Sequence, residues 1–582
     1  MENSETLSPS TRLAIVLVGA LQGLICYGIS EYIAYAKLPS DTVWSLCVMP
    51  ATVAMTATVA LSVTSFRKPL LWLALAIVGA VVAGMGAWLK WSVSGLEHWE
   101  IKEAVLVWGF HLLLMMLLML PWLQRRLSPA TTASFYSDFY DKHWHNALTI
   151  LTIFISNGLF WLVLFLWAEL FKLIGIQFFD RLFFQSDWFI SVAIGVVSAS
   201  VAVLARMQVR LMRALQNLLT LIATGLLPLM AALALLLIGA LPVMGFEAIS
   251  ARISAAGLLT ALALLLLFLV TIVWHPQRQT LPYHALLNGM VRLAIAIVPA
   301  YPVLAGWALW LRISQYGWSP ERLYGVLITL VALVWAVGFC ISVVFCRRQA
   351  QKLQASVIPL TGSLALILLI LIHTPVLDPW RISVESHMAR YHDGRINADQ
   401  VSLYMLSNSG RKGREAMQTL QYDRQFMAEP KRQRELYGLL SGNRDGAGKM
   451  TAGMLEKQFT LAPGTSRPDK GLWQAMLNNQ YRFDSCSRER KTCLLMSLDL
   501  NGDGKPEAVI YQFSDRTIVV YTQTGTGWKL AGDTWKMPDG LSREELERAV
   551  QQGKVKPVVK PWADIEIFGE RVEINYDNAL VR

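Results

Sequence analysis

Residues 253–274 read ISAAGLLTALALLLLFLVTIVW, and no side chain in that run is charged. A helix needs about 20 mostly apolar residues to cross the hydrocarbon of a bilayer, because inside lipid its backbone is satisfied only by its own hydrogen bonds. Residues 253–274 meet that length, with Arg252 before them and His275 to Arg278 after them. The same measure carried outward gives eleven spans: 13–35, 43–64, 69–90, 102–123, 148–170, 187–205, 217–240, 253–274, 288–312, 322–346 and 356–373. Between the fifth and sixth, Phe171–Phe184 (FKLIGIQFFDRLFF) is apolar but interrupted by Lys172, Asp180 and Arg181, which suits an interfacial or re-entrant helix.

Composition agrees. The 582 residues are 54% hydrophobic and 16% charged, with a mean hydropathy of +0.41, whereas a soluble chain carries about a quarter charged residues. That excludes a string of soluble domains and disorder. Six cysteines are too few for a disulfide-dense miniprotein. A net charge of +11 in a soluble protein would suggest nucleic acid. Here much of the excess lies in loops between spans, where topology and anionic lipid account for it. The lipid bilayer is the expected partner, and nucleic acid is not.

Cations in the loops orient the chain. With the N-terminus in the cytoplasm, inside segments hold Arg12, Arg67, Lys68, Arg125, Arg126, Lys142, Arg206, Arg210, Arg213, Arg278, Arg347, Arg348 and Lys352. Outside segments hold fewer: Lys37, Lys90, Lys102, Lys172, Arg181, Arg252, Arg312 and Arg322. The first span reads as a retained anchor rather than a cleaved signal, since it exceeds a signal peptide's apolar core. An odd number of spans then puts residues from about 374 onward across the membrane from the N-terminus.

The expected fold is therefore a polytopic α-helical membrane protein of about 11 transmembrane helices, with a C-terminal soluble α+β domain ending in a small antiparallel sheet. The transmembrane domain is 1–373. A mainly helical segment, 374–480, includes Gly413–Gln421 and Arg432–Leu440, punctuated by Gly394, Gly410, Gly442 and Pro463. A β-rich domain, 481–582, follows, with the alternating runs CLLMSLDL, AVIYQF, TIVVYTQ and WKLAG, then IEIFG and RVEINY. Cys26, Cys47, Cys340 and Cys346 lie in spans as packing residues, while Cys486 and Cys493, seven positions apart, form a disulfide if the tail sits in an oxidising compartment.

Asp499-Leu-Asn501-Gly-Asp503-Gly504-Lys505-Pro-Glu507 lies between two strand-like runs. Oxygens from Asp499, Asn501, Asp503 and Glu507, with the Lys505 carbonyl, suit a hard cation, and Gly504 suits the bend. Ile510 stands where an EF-hand needs a bidentate Glu. The pattern resembles the strand–loop–strand calcium loops of integrin-like FG-GAP repeats, which implies a structural Ca2+. Asn-Gly and Asp-Gly are equally the preferred dipeptides of metal-free hairpin turns.

Within the spans, Glu31, Glu103 and Glu169 fall near outer ends and make a candidate intramembrane polar site with the deeper His111. Each carboxylate also suits simple contact with interfacial water, and Arg292 can snorkel. Gly225–Pro228 and Pro299–Pro302 carry helix-breaking signals in the seventh and ninth spans. Broken helices bind substrate in transporters, although single prolines are tolerated as kinks. Asp138, Asp141, His143 and His145 match no zinc spacing and read as a polar juxtamembrane segment. There is no P-loop, dinucleotide-binding glycine fingerprint, HExxH or GxSxG motif.

Trp144–Phe184 (WHNALTILTIFISNGLFWLVLFLWAELFKLIGIQFFDRLFF), Leu311–Tyr324 (LRISQYGWSPERLY) and Asp378–Met417 resemble the bacterial membrane proteins grouped as domain-of-unknown-function family 4153. The resemblance covers roughly residues 130–420 and implies a multi-spanning protein of the bacterial inner membrane. It brings no activity, cofactor or catalytic residue. The expectation is a non-enzymatic scaffold or sensor whose calcium-stabilised periplasmic tail engages an envelope protein or ligand. A secondary transporter or flippase of the envelope is the alternative, and an envelope lipid or glycan enzyme is disfavoured because no catalytic pair is visible.

Overall fold

The computed structural model describes residues 7–38, 42–94, 96, 98–127, 134–244, 255–276, 278, 280–344, 350–440, 452, 455–456, 459–477, 486, 493–513, 517–525, 527–534, 542–552, 554–557, 565–567 and 570–572. Cys346, Arg347, Arg348 and Arg252 lie outside them. Among the described residues, eleven helices are long and apolar enough to cross a membrane. The chain divides into two compact units, Met1–Arg432 and Gln433–Arg582.

The first unit opens with α1 (Pro9–Tyr35), whose first turn is capped by the Ser8 hydroxyl accepting from Thr11 N–H at 3.2 Å. A π-helical turn, Trp44–Val48, leads into α2 (Met49–Ser62), followed by α3 (Pro69–Val93), α4 (His98–Leu127) and α5 (Phe135–Leu173). The short α6 (Phe178–Phe184) occupies the segment expected as an interfacial helix, and its Phe179 and Phe183 stack near Trp167. Then come α7 (Asp187–Met207), α8 (Val209–Met244), α9 (Ala255–Val273), α10 (Ala285–Ile297), α11 (Ala300–Tyr316), α12 (Pro320–Val344) and α13 (Ala350–Leu371).

One apolar core gathers Ile15, Leu71, Trp108, Leu120 and Ala202 from α1, α3, α4 and α7. A second gathers Leu227, Leu259, Val270, Tyr301 and Phe339 from α8, α9, α11 and α12. Leu151, Phe154, Ile155 and Leu159 of α5 are exposed, as expected of a face turned to lipid. Helices α1 and α7 cross at glycines. A methyl on Gly195 would lie 2.1 Å from the Gly19 carbonyl oxygen, and one on Gly23 would lie 2.4 Å from that of Ser191. Association in lipid rests on such close backbone approach, because apolar burial there gives little advantage.

The two proline-bearing spans behave differently. Pro228 has no N–H for the Thr224 carbonyl, yet α8 runs unbroken, and the Tyr283 hydroxyl donates to that carbonyl at 2.8 Å. The ninth span does break, between α10 and α11 at Val298–Pro299. There the Cys340 thiol donates to the Ala296 carbonyl at 3.2 Å. In the seventh span a neighbour's donor, Tyr283, thus stands in for the N–H that Pro228 lacks.

Past the last span, α14 (Pro379–His392), α15 (Leu403–Ser407), α16 (Gly410–Leu420) and α17 (Arg424–Met427) belong to the first unit. Asp378 caps α14 by accepting from the N–H groups of Trp380 and Arg381 at 2.9 and 3.1 Å. It is 2% exposed and also accepts from Trp88 Nε1 at 3.1 Å and Ser92 Oγ at 3.2 Å, which ties α14 to α3. Gly410 (φ +58) lets α16 approach closely, since a methyl there would sit 2.1 Å from the Ser92 carbonyl oxygen.

After α18 (Pro430–Leu440), the second unit contains β1 (Thr460–Leu461), α19 (Lys470–Leu477), β2 (Cys493–Leu498), β3 (Glu507–Gln512), β4 (Thr517–Thr524), β5 (Gly527–Thr534) and α20 (Arg543–Gln551). A separate hairpin pairs β6 (Ile565–Ile567) with β7 (Glu570–Val572). The main sheet has order β1-β2-β3-β4-β5. Strands β2 to β5 pair antiparallel, as the sequence predicts, and β1 adds a parallel pair beside β2, which makes the sheet mixed. Two residues carry no alternation for a sequence reading to detect. Alternate side chains divide the core. Leu495, Ile510 and Tyr521 pack with Trp473 of α19, while Leu494, Val509 and Tyr511 pack with Leu546 of α20.

Candidate functional site

Helix α5 has 39 residues and α8 has 36. At 1.5 Å per residue each is longer than 50 Å, against about 30 Å of hydrocarbon. The surplus lies at the start of both helices, and these polar first turns wall a cavity of about 940 Å³. The cavity sits where the ends of α2, α4 and α7 meet the beginnings of α5 and α8 and the chain leaving α9. All six chain ends therefore share one end of the bundle.

Its deepest charge is Arg206, 6% exposed, which donates to the carbonyls of Ala60 at 3.0 Å and Val63 at 2.7 Å and so caps the C-terminus of α2. Beside it, Gln124 and Asn146 exchange amide hydrogen bonds of 2.8 and 3.0 Å, and Gln124 also donates to the Leu61 carbonyl. Asp138 is held between Arg125 at 3.2 Å and Lys142. Arg213, Arg278, Asp141, His145 and His275 complete the ionisable lining. Burial and the neighbouring Arg278 guanidinium hold His275 below the ordinary histidine range, and burial pushes the Tyr283 phenol up to about 12. Both are therefore neutral at pH 7, and the cavity's character is set by four cations against two carboxylates, with the amides of Gln216 and Asn217 beside them. Sequence reasoning saw these residues singly, as orienting cations and a juxtamembrane segment.

The carboxylates expected to form an intramembrane site are not joined by any hydrogen bond among the described residues. Glu31 and Glu103 are exposed, and Glu169 pairs with Lys172 on its own helix at 3.2 Å. His111 does find a partner: its Nδ1 lies 3.1 Å from Nε2 of His373, with the Tyr324 ring beside it. Near this end, Arg411 and Lys412 lie over the Trp91 ring at 4.8 and 5.5 Å. Nε2 of His387 accepts from Ser402 N–H at 3.0 Å, which requires the neutral ring, and burial and Arg390 lower its pKa.

In the second unit, Cys486 and Cys493 are disulfide-bonded and fully buried. The oxygen-rich loop is a chain of side-chain-to-backbone turns. Asp499 accepts from Gly502 N–H (2.7 Å) and Gly504 N–H (3.0 Å), Asn501 from Asp503 N–H (2.9 Å), and Asp503 from Lys505 N–H (2.7 Å). Gly502 and Gly504 take φ +77 and +80, as such turns require. Glu507, 4% exposed, accepts from Leu500 N–H, the Asn501 amide and Thr522 Oγ1. The donor set is all oxygen and suits a hard cation. Among the described residues no three His, Cys, Asp or Glu side chains are gathered closely enough to hold a metal as they stand.

The chain matches no curated protein and no solved structure. Residues 53–420 match a family model described as a domain of unknown function, DUF4153. The match takes in the cavity, the His111–His373 pair and the helices from α14 to α16, and stops short of the disulfide and the oxygen-rich loop. With well over half of its length inside the match, the chain belongs to the DUF4153 family of multi-spanning membrane proteins.

Proposed function

We propose that the protein is a non-enzymatic scaffold or sensor of the bacterial inner membrane that presents its second unit to the periplasm, where calcium stabilises it and an envelope protein or ligand is its partner. The observation that carries this reading is the buried Cys486–Cys493 disulfide in a unit that follows eleven spans. Disulfides persist in oxidising compartments. An odd span number together with the excess of loop cations at the Arg206 end supports the same sidedness. For calcium, the support is the donor set of Asp499, Asn501, Asp503, Glu507 and the Lys505 carbonyl. Glu507 also bonds the loop to β4 through Thr522, so a bound ion would brace the sheet.

The test is a pair of fusions after residue 400, alkaline phosphatase and a fluorescent protein. Phosphatase activity without fluorescence is expected, and the reverse pattern overturns the reading. For calcium, chelator should lower the melting temperature of the full-length protein, and Glu507→Gln should remove that response. An unchanged melt eliminates the metal.

The polar cavity favours a second reading, a transporter or flippase, with the broken ninth span as its moving part. Arg213→Gln or Arg278→Gln, both in the cavity lining, would then abolish rescue of a deletion phenotype, while removal of the second unit would not.

A further inference from the structure

We propose that the cavity at the Arg206 end is a binding site for a phosphate group, carried either by a phospholipid headgroup or by a small soluble phosphate ester. Helix α8 supplies most of one wall. Val209, Arg213, Gln216, Thr220 and Thr224 recur at steps of three and four residues, so they share a face, and all line the cavity. The Thr220 and Thr224 hydroxyls donate back to the Gln216 and Thr220 carbonyls at 2.9 and 2.7 Å, so the donors this face can offer an anion are the Arg213 guanidinium and the Gln216 amide.

The charge favours an anion. The charged lining is Lys142, Arg206, Arg213 and Arg278 against Asp138 and Asp141, so cations outnumber carboxylates by two. Guanidinium groups present a planar fork of donors that matches phosphate oxygens in pairs, which a single ammonium cannot do. Arg206 is fixed by two backbone carbonyls and contributes a positioned charge. Arg213 and Arg278 come from two different elements and would grip the ligand between them. A phosphate monoester carries between one and two negative charges at neutral pH and a diester headgroup one, and the cation excess of this wall suffices for either. The volume leaves room for the group the phosphate is attached to. Because the walls are the surplus turns of α5 and α8, the site lies at the depth of the bilayer's polar layer, within reach of either source.

The test uses full-length protein in dodecyl maltoside and follows melting temperature against two probes, glycerol 3-phosphate and short-chain phosphatidylglycerol. A saturable rise is expected. A response to glycerol 3-phosphate identifies a soluble ester as the ligand, and a response to phosphatidylglycerol alone identifies the lipid. Arg213→Gln and Arg278→Gln should each weaken the response about tenfold or more, whereas Arg181→Gln, outside the cavity, should leave it unchanged. Sulfate should compete in the wild-type protein, which keeps the test decisive if an arginine variant does not fold. No response to either probe, no competition by sulfate, or wild-type affinity in both arginine variants overturns the proposal.

Discussion

The crossing of α1 and α7 makes a quantitative demand on Gly195. A methyl at that position would lie 2.1 Å from the Gly19 carbonyl oxygen and 3.0 Å from its carbon, where an ordinary contact begins at 3.4 Å. The helices must open by about 1.3 Å to admit it, and a gap of that order forfeits half or more of each dispersion contact across the crossing. No flexible side-chain end can move aside, because the obstruction is backbone. Overpacking of this kind costs about 1–3 kcal/mol, set against the gain of up to about 1 kcal/mol that alanine brings over glycine inside a helix. Gly195→Ala is therefore expected to destabilise the protein by about 1–2 kcal/mol net. Gly28, on the same α1, has nothing within 4 Å of the corresponding methyl, so Gly28→Ala should be neutral or stabilising. Reversible unfolding in mixed micelles titrated with dodecyl sulfate measures both. If Gly195→Ala unfolds at the wild-type denaturant concentration, or tracks Gly28→Ala, the two helices do not cross at these glycines.

Tyr283→Phe removes the donor that satisfies the Thr224 carbonyl opposite Pro228 and is expected to cost about 1–3 kcal/mol. In the Pro228→Ala background the new backbone N–H takes over, so the cost should largely vanish; a double-mutant cycle without coupling refutes the substitution of one donor for the other. His387 gives an acid response. Its folded pKa is lowered, so the unfolded chain binds the proton more readily, and the stability present above about pH 6.5 is lost as pH falls, by up to about 1.4 kcal/mol per unit. Thermal melts between pH 7.5 and 5 (about one unit or more either side of the ordinary histidine value) should show that decline, and His387→Gln should make it shallower, leaving the part due to His275. A wild-type slope retained in the variant assigns the response to another group.

What was legible in the sequence follows from which physical demands are local. The bilayer imposes its length on every span separately, so runs such as 253–274 declare themselves without reference to any other part of the chain. Strands β2 to β5 are legible for the same reason, since their alternation is internal to each. The two-residue β1 carries no alternation, and its parallel pairing is settled by where the intervening chain returns. Prolines show the limit more sharply. The seventh and ninth spans carry comparable breaking signals, yet one helix continues and the other breaks, and the continuing one has a donor from Tyr283, 59 positions away. The cavity was hidden by a subtler effect. Arg206, Arg213 and Arg278 each satisfy a rule about loop charge that any multi-spanning protein obeys, so orientation alone is enough to account for every one of them. Only the convergence of six chain ends distinguishes a charge that marks a side of the membrane from one that also faces a common space. In a membrane protein the two roles select the same residue types at the same depth, and an end-of-span arginine acquires a claim to binding only when a neighbouring element brings a second one against it, as α8 and the chain after α9 do here.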